Sequence, residues 1–470
     1  MASCQSGAVR TRQTINLICS ISLFFFVCPV LLPIANWTVL TYAQAKNNLS
    51  NFAYKNFHDM TMVGSSPQLN ILVEWHQPGQ DGIWRYRVEK GKMVVDVCLP
   101  EKTDGSSTKN LVDAMQWAVT KYPAKKYALV LWNHGIGIID PVWGRMYPLS
   151  RADQFAIDGD VVEKNAKIQI DGLTVAHQPS YYYKSITKDK KVFLTQDLLL
   201  TPSFCLPSDR RGILFNEHTR TYMDNSALTK ALAEIKTKVL KNKKIDVLGM
   251  DACLMAMLEV GYQARQYAQY FIASQEVELA HGWNYFAFLD LISQQECSPL
   301  QVASNVVDAY GQYYKDRVNF YTQSAVNLEK IDQIKINLDD IVTKLRACRC
   351  VLKDQLISVI KKARKSCVQF SATNYIDLHS FLTEVTKHLE GVKAATHQHK
   401  ALTELLRESL RQGMKSVEEA VVANVTGENF TRARGLSVYF PHGLIDQSYP
   451  KTLFAQDSAW LSFIQEACRY

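Results

Sequence analysis

Two short stretches of the sequence place residues capable of nucleophilic chemistry directly after apolar runs. "LVLWNHGIG" (129–137) carries His134, and "IDVLGMDACLMAMLEV" (245–260) carries Cys253. A thiol beside an imidazole is the minimal apparatus for acyl transfer, because the imidazole assists thiolate formation and then protonates the leaving amine. Each residue alone fits an ordinary core position. Their joint placement at equivalent strand ends favours a reactive site.

The elements that must position these residues are short and strongly apolar. Near-continuous hydrophobicity is typical of parallel strands covered on both faces, and it predicts buried strands at 37–43, 70–75, 127–132, 245–250 and 269–274. Amphipathic helical stretches lie between them, so we predict an α/β sheet flanked by helices. In such sheets the functional loops lie at the carboxyl ends of the strands, where His134 and Cys253 would meet.

Two predicted helices bear on this arrangement. In residues 226–241, Leu228, Leu232, Ile235 and Val239 form one apolar face, and Ser226 is the predicted N-cap. "LMAMLEVGYQAR" reads as a helix that begins directly after Cys253. A helix N-terminus at that position would favour the thiolate through its dipole and free amides.

Gly135 is the third component of the predicted site. Glycine permits close approach of two backbones, because it has no Cβ. Its amide and the backbone amide of Cys253 are therefore predicted to stabilise the oxyanion of an acyl-transfer intermediate.

The chain divides into three predicted regions. Residues 1–35 read as a signal peptide, since Arg10 and Arg12 precede an apolar run that ends in small residues. An uncleaved membrane anchor is the alternative, and export is favoured. The α/β domain spans 36–327, with an insertion at about 145–209 that is polar and lysine-rich. Residues 328–470 are predicted to be mostly helical, with a strand at 435–441.

Composition excludes several classes of protein. The net charge of +8 is spread over 470 residues without a dense basic stripe, so nucleic-acid binding is not favoured. Of the 11 cysteines, only eight follow the leader, too few for a disulfide-built scaffold. No Cys/His set has the spacing of a metal site. The predicted chemistry therefore requires no metal and no cofactor.

The two reactive stretches resemble the catalytic signatures of the clostripain family of cysteine peptidases, which shares its fold with caspases, gingipains and legumain. "WTVLTYAQAKNNLSNFA", "RGILFNEHTRTYMDNSALTKAL", "YIDLHSFL" and "GLSVYFP" resemble further family segments. The resemblance implies a caspase-like fold, with Cys253 as nucleophile and His134 as its partner. It also implies that Asp251 helps to form an acidic pocket for a basic P1 side chain. Calcium dependence stays open.

One departure concerns this pocket. Family members often carry an acidic residue just before a Gly-Trp pair, whereas here His281 precedes Gly282 and Trp283. Glu276 and Glu278 lie nearby in the sequence. We assign Asp251, Glu276, His281 and Trp283 to substrate binding, and expect a weaker preference for basic P1 residues than in typical relatives.

The sequence thus predicts an exported cysteine endopeptidase that acts on polypeptides, as a monomer or a self-cleaved two-chain form. Two alternatives stay open: an inactive protein that uses this fold for binding or assembly, and a thiol-dependent peptide ligase. Relatives are often made as precursors cut between the two catalytic residues. The candidate processing positions, all basic residues of the insertion or its end, are Lys184, Lys188, Lys190, Lys191, Arg210 and Arg211.

Overall fold

The protein is built on one large β-sheet with helices on both faces. The computed structural model describes residues 34–100, 103, 105–140, 213–392 and 396–469, and the backbone of five short strands between 156 and 195. The strands are β1 Ala35–Gln44, β2 Leu69–His76, β3 Ile83–Glu89, β4 Lys92–Leu99, β5 Ala124–Trp132, β6 Ala156–Ile157, β7 Lys167–Ile170, β8 Leu173–Ala176, β9 Tyr183–Ile186, β10 Val192–Thr195, β11 Ile213–Asn216, β12 Thr221–Met223, β13 Ile245–Asp251, β14 Ala268–Ala273, β15 Thr322–Asn327, β16 Tyr375–Asp377, β17 Val421–Thr426 and β18 Ser437–Tyr439.

The helices fall into two groups, each packed among its own members and against the sheet. The groups are typified by α1 with α5 and α6, and by α2 with α3, α4 and α7. The helices are α1 Ser50–Val63, α2 Thr108–Lys121, α3 Asn225–Glu234, α4 Leu258–Ala264, α5 Tyr285–Gln294, α6 Pro299–Tyr314, α7 Ile331–Ser366, α8 Leu378–Glu390, α9 His397–Ala420, α10 Leu453–Asp457 and α11 Trp460–Ala467.

The main sheet has a parallel centre and antiparallel margins. Its order is β17-β15-β14-β13-β5-β1-β2-β3-β4-β7-β8. The strands from β14 to β2 are parallel, whereas β15, β17, β3 and β4 are antiparallel to their inner neighbours. The predicted α/β fold and all five predicted strands are confirmed. The marginal strands were not predicted, because their mixed polar composition lacks the apolar run of a central strand.

The register between β5 and β13 decides where the reactive residues lie. These strands are neighbours, and Trp132 is paired with Asp251. His134 and Cys253 each follow the end of their strand by two residues. Because both strands run in the same direction, the two residues lie at the same edge of the sheet. The prediction that the two loops share one edge of the sheet is therefore confirmed.

The N-cap predicted for the helix at 226–241 is wrong. The helix begins at Asn225, and the side chain of Asp224 accepts the N–H of Ala227 at 2.7 Å. The helix continues as a π-helical segment over Ile235–Val239. The predicted apolar face is correct, since Leu228, Leu232, Ile235 and Val239 are all buried.

The last 140 or so residues are mostly helical, but they do not stand apart from the sheet. Helices α7, α8 and α9 pack on one another, and α9 leads directly into β17, an edge strand of the main sheet. Residues 34–470 accordingly form one compact unit. The strand predicted at 435–441 is shorter, Ser437–Tyr439, and pairs with β16 in a separate two-stranded sheet.

The predicted leader, residues 1–35, lies almost entirely outside the described residues. Within the described part of the chain, no helix combines the length and apolar character needed to cross a membrane.

Candidate active site

A cleft opens at the carboxyl ends of β5 and β13 and contains both reactive side chains. Four segments form it: the turn between β1 and α1, the residues that end and follow β5, those that end and follow β13, and the stretch 277–280 beyond β14. Its lining residues are Leu49, Trp132, Asn133, His134, Asp251, Ala252, Cys253, Val277, Glu278, Leu279 and Ala280.

Asn133 fixes the backbone that carries His134. Its side-chain oxygen accepts the N–H groups of His134 and of Phe215, the latter at 2.9 Å. Its amide nitrogen donates to the carbonyls of Phe215, at 3.0 Å, and Gln44. The Asn133 N–H donates to the carbonyl of Asp251 at 3.2 Å, which ties the β5 loop to the β13 loop. Backbone from three segments is thus locked around the histidine.

The His134 ring itself is nearly buried, with 5% of the residue exposed. Its Nε2 lies 2.7 Å from Oδ1 of Asn48, a residue in the turn between β1 and α1. In the sequence, this Asn-Asn-Leu turn is only a point of resemblance to the family, and the pattern predicts no role for Asn48. The signal that could have singled it out is its place after a parallel strand adjacent to β5.

The expected helix N-terminus at Cys253 is wrong. Helix α4 begins only at Leu258, and Cys253 lies in a turn in which Leu254 has a φ of 63°. The N–H of Leu254 donates to the carbonyl of Glu276 at 3.0 Å, and that of Ala256 to the carbonyl of Ser274 at 2.9 Å. The residues after the cysteine therefore pair with the segment that follows β14, and they are held too extended for a helix.

That pairing brings a different donor to the sulfur. The backbone N–H of Glu278 donates to Cys253 Sγ at 3.3 Å. A hydrogen bond donated to sulfur stabilises the thiolate, the nucleophilic form. A single backbone amide on the facing segment thus takes the place of the helix dipole that the sequence predicted.

Gly135 allows the loop after β5 and the loop after β13 to touch. A Cβ at this position would lie 2.6 Å from the carbonyl oxygen of Cys253 and 2.9 Å from the Met255 side chain. No larger residue fits without moving one of the loops. The predicted close approach of the two backbones is therefore present.

Two buried carboxyl groups lie beside the thiol. Asp251 Oδ2 accepts the Tyr285 hydroxyl at 2.8 Å and the Trp283 N–H at 3.4 Å. Glu278 Oε1 accepts the Trp283 indole N–H at 2.9 Å and the Gln323 amide at 3.1 Å. Glu278 Oε2 is buried and has no hydrogen-bond partner among the described residues.

Burial disfavours ionisation of both groups. It raises the pKa of Asp251 to about 7. It raises the pKa of Glu278 well above its usual range, and the charge of Asp251 adds to the effect. Two acids that share a site in this way resist ionising together, and a cation between them would relieve the repulsion.

Trp283 holds both carboxyl groups, and two glycines make room for that arrangement. A Cβ at Gly249, on β13, would lie 2.4 Å from the Trp283 ring. Gly282 has a φ of 62°, and a Cβ there would lie 2.7 Å from the Asp251 carboxylate. The predicted substrate residue Trp283 is thus 1% exposed and lies beneath the cleft, where it supports the acids.

The structure brings neither Glu276 nor His281 to the cleft lining. The Glu276 carboxylate accepts the backbone N–H groups of Val277, at 2.6 Å, and Ser371, at 3.0 Å. His281 Nδ1 lies 3.1 Å from the Tyr313 hydroxyl. The second acid of the site is Glu278, which the sequence analysis named as a neighbour and did not assign.

Most of the predicted processing positions lie outside the described residues: Lys188, Lys190, Lys191, Arg210 and Arg211. Lys184 is described only as backbone in β9.

Among the described residues, no group of three His, Cys, Asp or Glu side chains is arranged to hold a metal ion.

Comparisons with known proteins identify the family and the fold. The clostripain family model, Peptidase_C11, matches residues 41–142 and 207–466. No curated protein sequence matches the chain. An inactive zymogen of a C11 protease from Parabacteroides distasonis is similar in structure, with a TM-score of 0.54, 16% identity, and coverage of 90% of this chain and 98% of that one.

A second similar structure is a secreted C11 cysteine protease from Bacteroides thetaiotaomicron in complex with an irreversible peptide inhibitor. Its TM-score is 0.53 at 16% identity, and the match covers 92% of this chain and 99% of that one. At this identity the two structures show the common fold, and the family model, which matches most of the chain, shows the family. The chain belongs to the clostripain family of C11 cysteine peptidases.

Proposed function

We propose that this protein is an endopeptidase that cleaves peptide bonds through a thioester on Cys253, with His134 as its acid and base. The observation that carries the proposal is a single cleft, lined by Cys253, His134, Asp251 and Glu278. A thiol, an imidazole and buried acids at one sheet edge match the needs of peptide cleavage after a cationic side chain.

The reaction follows from the groups in the cleft. The Cys253 thiol gives its proton to His134, and the sulfur attacks the scissile carbonyl to form a tetrahedral oxyanion. The C–N bond then breaks, His134 protonates the departing amine, and a thioester remains. Water gives a proton to His134 as it attacks the thioester, which releases the carboxylate product and restores the thiol. No metal or cofactor takes part in these steps.

The backbone amides of Gly135 and Cys253 are proposed to bind the oxyanion. The close contact between Gly135 and the Cys253 carbonyl brings the two loops together, which supports this assignment. Each amide donor to an oxyanion contributes about 3 kcal/mol to the transition state in well-studied enzymes.

Asp251 and Glu278 are proposed to bind an Arg or Lys side chain at P1. Both carboxyl groups are buried, and a buried cation needs a countercharge. Glu278 Oε2 has no partner among the described residues and is available to a substrate. Glu278 lines the cleft, whereas His281 does not, and the weaker preference for basic P1 residues expected from His281 stays a prediction that the P1 assay tests.

The decisive experiment is a fluorogenic library with varied P1 residues, assayed with wild type and Cys253→Ala. Turnover after Arg or Lys that disappears in the variant supports the proposal. Cys468→Ala is the matched control, because Cys468 is partly exposed like Cys253 and its thiol donates to the Pro441 carbonyl, away from the cleft.

The same assay separates the two alternatives. Full activity in Cys253→Ala would remove the assignment of the nucleophile, and no turnover by wild type with any P1 residue would favour a binding or assembly protein. Transfer of the acyl group to an added amine in preference to water would identify a ligase.

Export and maturation complete the proposal. The basic, apolar leader supports export, and the basic residues of the insertion support self-cleavage between His134 and Cys253. Wild type and Cys253→Ala should be compared on a denaturing gel after incubation. Two fragments from wild type and one band from the variant are expected. Intact, fully active wild type would show that cleavage is not needed.

A further inference from the structure

We propose that Asn48 is a positioning residue for catalysis: it holds the His134 ring through Nε2, so that Nδ1 faces the chemistry. The proposal rests on the proposed peptidase function and adds to the catalytic pair a third side chain from a separate loop. It follows from one short contact, from the hydrogen bonds around it, and from the exposure of Asn48.

The contact fixes the proton on the imidazole. The Asn48 Oδ1 that lies 2.7 Å from His134 Nε2 is a carbonyl oxygen, which can only accept a hydrogen bond. Nε2 must therefore carry the hydrogen, in the neutral as well as the charged ring. The basic nitrogen of the neutral ring is then Nδ1, and this nitrogen exchanges the proton with Cys253 and the leaving amine.

The surrounding hydrogen bonds hold the two residues in a fixed relation. The Asn47 side chain accepts the Leu49 N–H at 2.9 Å and donates to the carbonyls of Phe215, at 3.0 Å, and Gln44, at 3.4 Å. Asn133, which precedes His134, donates to the same two carbonyls. The turn that carries Asn48 and the loop that carries His134 are thus attached to one pair of acceptors.

Asn48 differs from Asn47 and Asn133 in the exposure of the residue to solvent. Asn47 and Asn133 are 6% and 3% exposed, whereas Asn48 is an exposed residue. An exposed amide can be satisfied by water, so the fold does not require Asn48 to bond with His134. Loss of its side chain should consequently leave stability unchanged within about 0.5 kcal/mol, as at other surface positions.

A group that orients the imidazole affects the chemical step more than binding. A misplaced catalytic group costs about 10²-fold in rate, and an orienting partner also stabilises the imidazolium that forms during the reaction. The titratable groups that line the cleft with His134 are Cys253, Asp251 and Glu278. All three stay unchanged in variants of Asn48, so a shift in the pH profile reports on Asn48 alone.

The test uses the full-length protein with Asn48→Ala, Asn48→Asp and, as a matched control, Asn51→Ala, another exposed asparagine three positions further on. In Asn48→Ala we expect kcat to fall about 10²-fold, with little change in KM and an unchanged thermal midpoint. Asn48→Asp keeps an acceptor oxygen and adds a negative charge. It should recover most of kcat and move the alkaline limb of the pH profile upwards, because the carboxylate stabilises the imidazolium. Asn51→Ala should behave as wild type.

A second measurement needs no substrate. Alkylation of Cys253 by iodoacetamide, followed by mass spectrometry of the peptide that contains it, reports how readily His134 takes the thiol proton. Asn48→Ala should slow alkylation near neutral pH. If wild type cleaves no peptide yet alkylation depends on Asn48, the positioning role stands and the peptidase proposal fails. Wild-type kcat and alkylation in Asn48→Ala, or equal loss in Asn48→Ala and Asn48→Asp with an unmoved alkaline limb, would overturn the inference.

Discussion

Two regions of this protein each contain a buried carboxyl group, and in both regions burial raises the pKa of that group to about 7. The two groups differ in their surroundings. One region is the cleft, with Asp251 beside Glu278. The other is the start of α4, where Glu259 is 1% exposed. Glu259 Oε1 accepts the N–H of Tyr439 at 2.9 Å and the hydroxyl of Tyr449 at 3.0 Å.

The difference lies in what each carboxyl group can reach. Glu259 is enclosed by the C-terminal part of the chain, and its bonds join α4 to β18 and to the segment around Tyr449. Asp251 lines a cleft together with the Cys253 thiol, the His134 imidazole and a second carboxyl group. A raised pKa is therefore not enough to mark a functional site, and the proposed function assigns one only where a cleft and reactive neighbours accompany it.

Asp251→Asn should show the largest difference between the cleft and the Glu259 region, because only the cleft is expected to affect P1 specificity. Cleavage after Arg or Lys should fall by about 10²-fold or more, because a buried cation left partly unpaired costs about 3 kcal/mol. Cleavage after a neutral P1 residue should change little. The measurement is kcat/KM across the P1 library.

Asp246→Asn is the control for this change. Asp246 lies on the same strand, and its carboxylate accepts the Tyr127 N–H at 2.8 Å, at the far end of β13 from the cleft. An equal loss for basic and neutral P1 residues in Asp251→Asn would make Asp251 a structural residue of the turn.

Glu259→Leu should affect stability and leave specificity intact. The change deprives two buried donors, the Tyr439 N–H and the Tyr449 hydroxyl, of their acceptor, which costs about 2–4 kcal/mol. Urea unfolding should show this loss, while the ratio of kcat/KM for Arg and neutral P1 residues stays at the wild-type value. A changed ratio would mean that the two regions are not independent.

Gly249→Ala tests whether the packing of Trp283 beneath the cleft contributes to stability and to P1 specificity. The added methyl group meets the Trp283 ring, so overpacking should cost about 1–3 kcal/mol of stability. Displacement of Trp283 should also weaken the preference for basic P1 residues, because this side chain holds both acids. Gly443→Ala is the control, since a Cβ there meets nothing within 4 Å. Wild-type stability and specificity in Gly249→Ala would show that the ring shifts without consequence.

A further expected effect is on pH dependence, and it is small over any one pH unit. Both Asp251 and Glu259 bind their proton more tightly in the folded protein, so each lowers stability as pH rises from about 4 to about 7. In Glu259→Gln this slope should decrease by about 1.4 kcal/mol per pH unit, the value for one proton. Unfolding free energies at several pH values measure it, and an unchanged slope would contradict the assignment.

The same titration has a second consequence at Asp251 alone. A cationic P1 side chain binds the ionised acid, so the ratio of kcat/KM for Arg over a neutral P1 residue should rise as the pH rises through about 7. Glu259→Gln should leave this curve in place, and Asp251→Asn should flatten it.

Much of the site could be predicted from the sequence, because its signals are local. The apolar runs of β5 and β13 predicted the strands, and the polar residues directly after them, His134 and Cys253, predicted the edge where chemistry takes place. Asp251 lies at the end of β13, and its role in the pocket is implied only by the resemblance to a family. Parallel neighbouring strands then bring these residues together without further information.

Other features depended on contacts between distant segments. "LMAM" after Cys253 has the composition of a helix, but the pairing of Leu254 and Ala256 with the chain beyond β14 delays the helix to Leu258. Asn48 likewise reaches His134 only because two asparagines share the carbonyls of Gln44 and Phe215.

The sequence by itself predicted the central strands and placed His134, Cys253 and Asp251 at one edge of the sheet, since strand pattern and chain order are enough for that placement. Only the tertiary structure decided between Glu276 and Glu278. In a regular strand, residues two apart lie on the same face. Here the chain bends at 275–276, so Glu276 binds the backbone of Ser371 and Glu278 lines the cleft. A bend set by hydrogen bonds from distant parts of the chain leaves no periodic signal in the sequence.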